Sequence, residues 1–330
     1  MSTTREGVVL QGTGGVWQVR TDDGETRDAS LRGRLKQEGT PRENRETRDG
    51  GREGSRDGSA RQLKLAVGDR VTVSGDEAGN QWTIDEIHPR RSKLARKRPG
   101  NAKGERIIVA NLDQVLVVFA AANPEPHPRM LDRFLVIAEA NDLAARIVIN
   151  KMDLADEAST RARFAEFEAA GYPMHLTSVS ENRGLEALHA EIAGRGSALT
   201  GPSGVGKSSL MNTLFPGLNL RTAEISDSVN KGRHTTVGAL LHALPGGGFI
   251  ADTPGLREVG LWGVEPNEIP ACFPEFRPYL GECRFADCMH TVEPGCAIRD
   301  AVAAGTLSRG RYDSYVKLRD ELAVASADVW

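Results

Sequence analysis

The sequence predicts a multidomain chain: a small β-barrel or sandwich, an α/β domain built on a mostly parallel sheet, and a metal-binding, mostly helical module. Three observations carry this reading. Short apolar–polar alternations with frequent turns fill residues 6–31 and 63–88. From about residue 107, strand-like apolar runs alternate with helical stretches. Three of the four cysteines then fall within residues 283–296. A chain of 330 residues has room for two or three domains with a core each, and the expected boundaries are 1–98, 99–262 and 263–330.

The first domain rests on Gly-Val-Val-Leu, Val-Trp-Gln-Val, Asp-Arg-Val-Thr-Val and Gln-Trp-Thr-Ile, separated by Gly-Gly, Asp-Asp-Gly and Ala-Gly-Asn. Period-two alternation between such turns indicates antiparallel strands. Trp17 and Trp82 sit in these runs, either as core residues or as platforms for stacked bases. Residues 32–61 are almost devoid of apolar side chains and rich in Arg, Glu, Asp and Gly. They cannot bury enough surface to offset ordering entropy, so a disordered loop is expected, either a plain linker or an RNA-touching arm. Residues 89–106 read as a basic connector, with Arg90, Arg91, Lys93, Arg96, Lys97, Arg98, Lys103 and Arg106 against Glu105 alone.

In the α/β region, strands are expected at 115–121, 146–150, 174–177, 197–200, 237–243 and 249–251, and helices near 128–141, 157–171, 183–193 and 207–215. Such alternation predicts a parallel sheet with helices on both faces. After about 262 the pattern breaks into Pro- and Cys-rich segments, followed by a helix at 309–325.

Hydrophobic residues at 39% and charged residues at 26% describe an ordinary soluble chain. No apolar run approaches the ~18–20 residues of a membrane span, and Met-Ser-Thr-Thr-Arg-Glu does not begin a signal peptide. The expectation is a cytoplasmic protein with no membrane partner. The net charge of −3 conceals +5 over residues 1–106 and −8 over the remainder. A basic front end permits a nucleic-acid partner without demanding one.

Two motifs carry chemistry. Gly201, Pro202, Ser203, Gly204, Val205, Gly206, Lys207 and Ser208 form a phosphate-binding G-x-x-x-x-G-K-[ST] loop, with Ser209 following. Its backbone N–H groups would wrap phosphates, Lys207 would reach the β- and γ-phosphates, and Ser208 would ligate Mg²⁺. Some fifty residues earlier, Asn150, Lys151, Met152 and Asp153 fit N-K-x-D, directly after an apolar strand. Asp153 can accept from the N1–H and exocyclic amine of guanine, a donor pair that adenine lacks. Thr177 and Ser178 occupy the place of a second base-contacting loop. Asp252 and Gly255 fit D-x-x-G, for a Mg²⁺-linked water and the γ-phosphate. Thr235 and Thr236 can supply a Mg²⁺-coordinating threonine. The base-reading motif ordinarily follows the phosphate loop, and here it comes first. The chain therefore reads as a GTPase with a circularly permuted sequence. Position 256, where many GTPases carry a water-orienting Gln, is Leu. Slow intrinsic hydrolysis is expected, completed by His234 or by a partner.

Cys283, Cys288, His290 and Cys296 follow Cys-x₄-Cys-x-His-x₅-Cys. Cys₃His is a common structural zinc set, and four protein ligands leave no open position for catalysis. Cys272 lies outside the set and reads as a core residue.

With these motifs in hand, including Gly232-Arg-His-Thr-Thr236 and Asp252-Thr-Pro-Gly-Leu256, the chain resembles the RsgA/YjeQ family of bacterial small-ribosomal-subunit-dependent GTPases. Gly14-Gly-Val-Trp17 and Leu31-Arg-Gly-Arg-Leu35 resemble that family's N-terminal OB barrel, and Ala110-Asn-Leu-Asp-Gln114 the entry to its GTPase domain. The resemblance implies Mg²⁺ with GTP or GDP at the motifs above and one structural zinc ion at the cysteine set. It also implies late maturation of the small ribosomal subunit, through contact with that subunit and its rRNA, with hydrolysis stimulated by it. A monomer is expected. The rival reading is a nucleotide switch that regulates a protein target without RNA. In either case the permuted order places the cysteine module just after the D-x-x-G switch, so a γ-phosphate-dependent shift could reorient it.

Overall fold

The computed structural model describes residues 3–33, 35, 64–76, 81–97, 105–220, 239–252 and 264–327. They group into two compact units, 1–90 and 91–330.

The first unit is a closed five-stranded barrel. Strands β1 (Thr3–Thr13), β2 (Val16–Thr21), β3 (Thr26–Leu31), β4 (Arg70–Asp76) and β5 (Gln81–Ile87) close in the order β1-β2-β3-β5-β4. β3 and β5 run parallel and the other neighbours antiparallel, an OB-type arrangement. Val9, Val19, Ala29, Val71, Val73, Trp82 and Ile84 fill the interior. The two tryptophans serve packing. Gly12 lies opposite Trp17 and Gly75 opposite Trp82 in the ladders, and a Cβ on either glycine would come within 2.4 Å or 2.6 Å of indole carbons. The Arg27 guanidinium covers Trp82 at 4.7 Å. Asp69 is fully buried and grips Arg90 through two bonds of 2.6 Å and 2.7 Å, holding the last strand of the unit to the approach to β4. Most of the loop read as disordered at 32–61 lies outside the described residues.

The second unit begins with a hairpin that the sequence reading missed. Lys93–Lys97 (β6) pairs antiparallel with Glu105–Ala110 (β7), because Leu94 and Val109 face each other and are fully buried. The basic composition had hidden that apolar pair.

A six-stranded sheet follows, in the order β10-β9-β8-β11-β13-β12. Its strands are β8 (Gln114–Ala120), β9 (Ala144–Asn150), β10 (Met174–Leu176), β11 (Gly196–Thr200), β12 (Leu240–Ala243) and β13 (Phe249–Asp252). All neighbours are parallel except β12 against β13. Every residue of β8 is buried, as expected of a strand covered on both faces. On one face Leu116 and Val118 pack with α3 (Leu185–Ile192) and α4 (Lys207–Leu214). On the other, Phe119 meets Phe134 of α1 (Pro128–Glu139) edge-on, with ring centroids 6.2 Å apart. Helix α2 (Glu157–Ala169) links β9 to β10. The chain runs outward from β8 to β10, then α3 returns it to the central β11. That return replaces the two ends an unpermuted chain would have.

The C-terminal module comprises short 3-10 segments at Ile269–Cys272 and Pro274–Tyr279, then α5 (Ala297–Ala303) and α6 (Arg309–Ala327). Phe273, Phe276 and Tyr315 form its aromatic centre, with ring centroids 5.1–5.7 Å apart, and this core extends to Val136 of α1. Cys272 is buried in it, and burial pushes its thiol up to about 12. Among the described residues no helix is long and apolar enough to cross a membrane.

Candidate nucleotide site and metal centre

The sheet brings the base motif and the phosphate loop to one edge. β9 ends at Asn150 and β11 at Thr200, on either side of β8, so both loops leave from strand C-terminal ends. The chain turns outward from β8 in one direction and from β11 in the other, the switch point where open α/β sheets bind ligands.

The phosphate loop is shaped by close backbone approach. Gly201 has φ 130°, and a Cβ there would lie 2.0 Å from the Val118 carbonyl oxygen. Gly206 precedes α4 at φ 89°, with the Asn150 side-chain nitrogen 2.6 Å from where a Cβ would stand. Helix α4 then presents its N-terminal N–H groups and the positive end of its dipole toward the loop. Lys207 Nζ donates to the carbonyls of Gly201 (2.8 Å) and Pro202 (2.6 Å), which holds its charge across the loop mouth. Val205 is buried, whereas Ser203, Gly204 and Ser209 are exposed and Ser208 is half-buried.

Asn150 joins the two motifs. Its side-chain nitrogen donates to the Val205 carbonyl (3.0 Å) and its oxygen accepts from the Thr177 hydroxyl (3.2 Å), all in buried surroundings. Lys151 adopts φ 61° and donates to the Asn123 carbonyl, fixing its stem. The Met152 N–H donates to the Thr177 carbonyl (3.1 Å), tying the loop after β10 to the base motif after β9. Asp153 projects outward, exposed, and accepts from the buried Ser178 hydroxyl (2.6 Å). That bond, with help from Ser180, holds the Asp153 carboxyl below its ordinary range despite some desolvation. An anionic, oriented carboxylate is what two guanine N–H donors require. Of the remaining nucleotide candidates, Asp252 closes β13 beside Leu199 of β11 through its backbone. The Asp252 side chain and all of His234, Thr235, Thr236, Gly255 and Leu256 lie outside the described residues.

The chain matches a family model described as RsgA GTPase over residues 87–262, more than half its length. It is 65% identical to a small ribosomal subunit biogenesis GTPase RsgA from Gemmatimonas aurantiaca, covering 98% of this chain and 99% of the relative. The chain belongs to the RsgA GTPase family. A protein of the same name from Chromohalobacter salexigens is 44% identical, over 78% of this chain and 75% of that one. Among solved structures, YjeQ from Thermotoga maritima superposes with a TM-score of 0.76 at 33% identity, covering 97% and 99% of the two chains. YloQ, described as a circularly permuted GTPase, gives 0.70 at 28% identity over 98% and 96%. This RsgA-family chain is accordingly a GTPase, a hydrolase acting on GTP, with the permuted order seen above.

The cysteine set also assembles. The ligand atoms of Cys283, Cys288, His290 and Cys296 all lie within 4.8 Å of one another. Cys283 and Cys296 sulfurs are 3.9 Å apart, and the His290 Nδ1 stands 3.4 Å and 3.5 Å from them. A tetrahedral zinc ion with bonds of about 2.3 Å to sulfur sets sulfurs roughly 3.8 Å apart, so the donor set fits one ion. Burial lowers the His290 pKa, which favours the neutral imidazole whose lone pair can bind a metal. Burial also pushes the Cys288 thiol up to about 12, so thiolate there needs a cation's charge.

Supporting groups were not foreseen from the sequence. Glu293 accepts from the N–H groups of Met289, Thr291 and Val292 at 2.9–3.0 Å. Burial opposes its ionisation, but these bonds prevail and draw the carboxyl down to about 2. The Tyr312 and Tyr315 hydroxyls donate to the carbonyls of His290 (2.8 Å) and Met289 (2.6 Å), so α6 fixes the ligand loop. A Glu-Pro-Gly turn between two ligands was the one available signal for Glu293.

Proposed function

We propose that this chain hydrolyses GTP as a maturation factor of the small ribosomal subunit, acting late in its assembly and stimulated by it. The carrying observation is the bond from Asn150 to the Val205 carbonyl, which joins guanine-reading and phosphate loops despite their reversed order. The relatives' names, small ribosomal subunit biogenesis GTPase, support the partner.

In this reading Asn150, Lys151, Met152, Asp153, Thr177 and Ser178 read the base. The loop from Gly201 to Ser209 holds the phosphates, with Lys207 neutralising charge that develops on the β–γ bridge. Ser208 and one of Thr235 and Thr236 would hold Mg²⁺, and Asp252 would act on it through a water. The ion supplies charge neutralisation on the phosphate oxygens when bound. Gly255 senses the γ-phosphate, and His234 or a group from the subunit orients the attacking water. The cysteine set holds one structural zinc ion. The 1–98, 99–262 and 263–330 division belongs to the same proposal, as do a cytoplasmic location, a monomeric chain and rRNA contacts made by the barrel and, above all, the basic hairpin. Phosphate contacts there need charge rather than exact geometry.

The test is GTP turnover with and without purified small ribosomal subunits. Slow turnover that rises at least tenfold with subunits is expected, with a stimulation that fades as salt is added. Turnover unaffected by subunits would sink the proposal.

A further inference from the structure

Arg311, the third residue of α6, is only 1% exposed. A guanidinium removed from water is costly unless its charge and N–H groups are met. Here they are met from several directions. Nε and Nη2 fork onto Glu275 of the C-terminal module at 2.6 Å and 3.1 Å, and Nη1 donates to the buried Asp132 of α1. The rings of Phe273, Phe167 and Tyr172 lie 4.6 Å, 5.2 Å and 5.7 Å from its central carbon. One side chain thus gathers two residues of the module, one of α1, and two from α2 and the turn after it. Ser308 beside it donates to Glu166 of α2.

In the chain, α1 and α2 flank β9 and the Asn150–Asp153 loop. The apolar contacts of the module with Val136 are non-directional and would tolerate sliding. Two further ion pairs to α1, Arg277 with Glu139 and Arg133 with Glu321, lie at the exposed edge where water screens them. Forked, charge-assisted bonds are directional. We propose that Arg311 pins the C-terminal module to the base-reading half of the GTPase sheet, so that the module and residues 128–172 move as one body. A partner that grips the cysteine loop then grips the helices beside the guanine loop. This differs from a module that swings freely on the switch.

Hydrogen exchange on the full chain tests the pin with two variants. Arg311→Lys keeps the charge and stem, but a point charge cannot fork onto Glu275 while also reaching Asp132. The triple variant Arg311→Met, Asp132→Asn, Glu275→Gln removes every charge together, which avoids leaving an unpaired one buried. In each variant that folds, exchange should rise at least tenfold in residues 128–139 and 269–303 together. Zinc content should be unchanged and exchange in β8 and β11 should stay within twofold. Exchange within twofold of the parent at both faces would overturn the proposal. So would loosening of one face alone, or an equal rise across the whole sheet. If Arg311→Lys fails to fold, the triple variant decides.

Discussion

Residues 201–208 and residues 283–296 each build a pocket for a charged guest, from opposite materials. In the phosphate loop the ligand-facing groups are backbone N–H groups, and the critical residues are glycines such as Gly201, where a Cβ would collide with the Val118 carbonyl. The exposed Ser203 contributes little beyond its backbone. In the cysteine set the ligand-facing groups are four side-chain atoms, and the backbone serves only to aim them, through Glu293, Tyr312 and Tyr315. The first site is shaped by the close approach of its backbone to β8. The second would be held by its guest. It follows that the two should fail differently: the phosphate loop through its backbone, the cysteine set through loss of a side chain or of the ion.

The largest effect should come from the side-chain site. Structural zinc contributes on the order of 10 kcal/mol in small zinc-folded peptides, comparable with the roughly 5–15 kcal/mol that stabilises a whole domain. Cys296→Ser, or exhaustive chelation, should release the ion and melt residues 281–303, seen as lost hydrogen-exchange protection. GDP affinity should change less than about threefold, because α3, α4 and the strands they cover form a separate core. Retained zinc with unchanged melting would remove the metal role.

Next comes the backbone site. Gly201→Ala meets both a 2.0 Å clash and a φ of 130°, a conformation costing on the order of 1–3 kcal/mol for a residue with a side chain. Nucleotide affinity should fall at least tenfold, while zinc content stays that of the parent. Calorimetric GDP titration and metal analysis on the same sample would check both arms. If zinc were lost with the nucleotide, the claim that the sites fail separately would be wrong.

How much of this could be read from sequence follows the same division. The phosphate loop was legible because its chemistry lies within eight consecutive residues, and β8 because a strand covered on both faces gives an apolar run, here Val115 to Ala120. The four ligands were legible because they span fourteen residues. The β6–β7 hairpin was not, since one buried Leu94–Val109 pair sits among basic residues. Arg311 was not either. Its partner Asp132 is 179 residues away, and no local period marks where a helix will bury a charge. The Ser178–Asp153 bond stood between these cases: the loop's place was readable, but the bond depends on how β10 ends beside β9.

That bond gives the smallest predicted effect, and it tests whether the base-reading loops beside the backbone-built site depend on a side chain for their aim. Ser178→Ala leaves Asp153 able to accept from guanine but without its buried orienting donor. Because Asp153 is exposed, water replaces part of the lost bond, so GDP affinity at pH 7.5 should drop only about three- to tenfold. The pH dependence is the sharper readout. In the parent, the Ser178 hydroxyl lowers the Asp153 pKa, so the carboxylate persists as pH falls through the ordinary range. Without that donor the carboxyl protonates at a higher pH than in the parent. The acid limb of GDP affinity should therefore begin at a higher pH in the variant than in the parent, and Ser178→Thr should restore the parent profile. Equal acid limbs in parent and Ser178→Ala would show that the loop backbone alone orients Asp153.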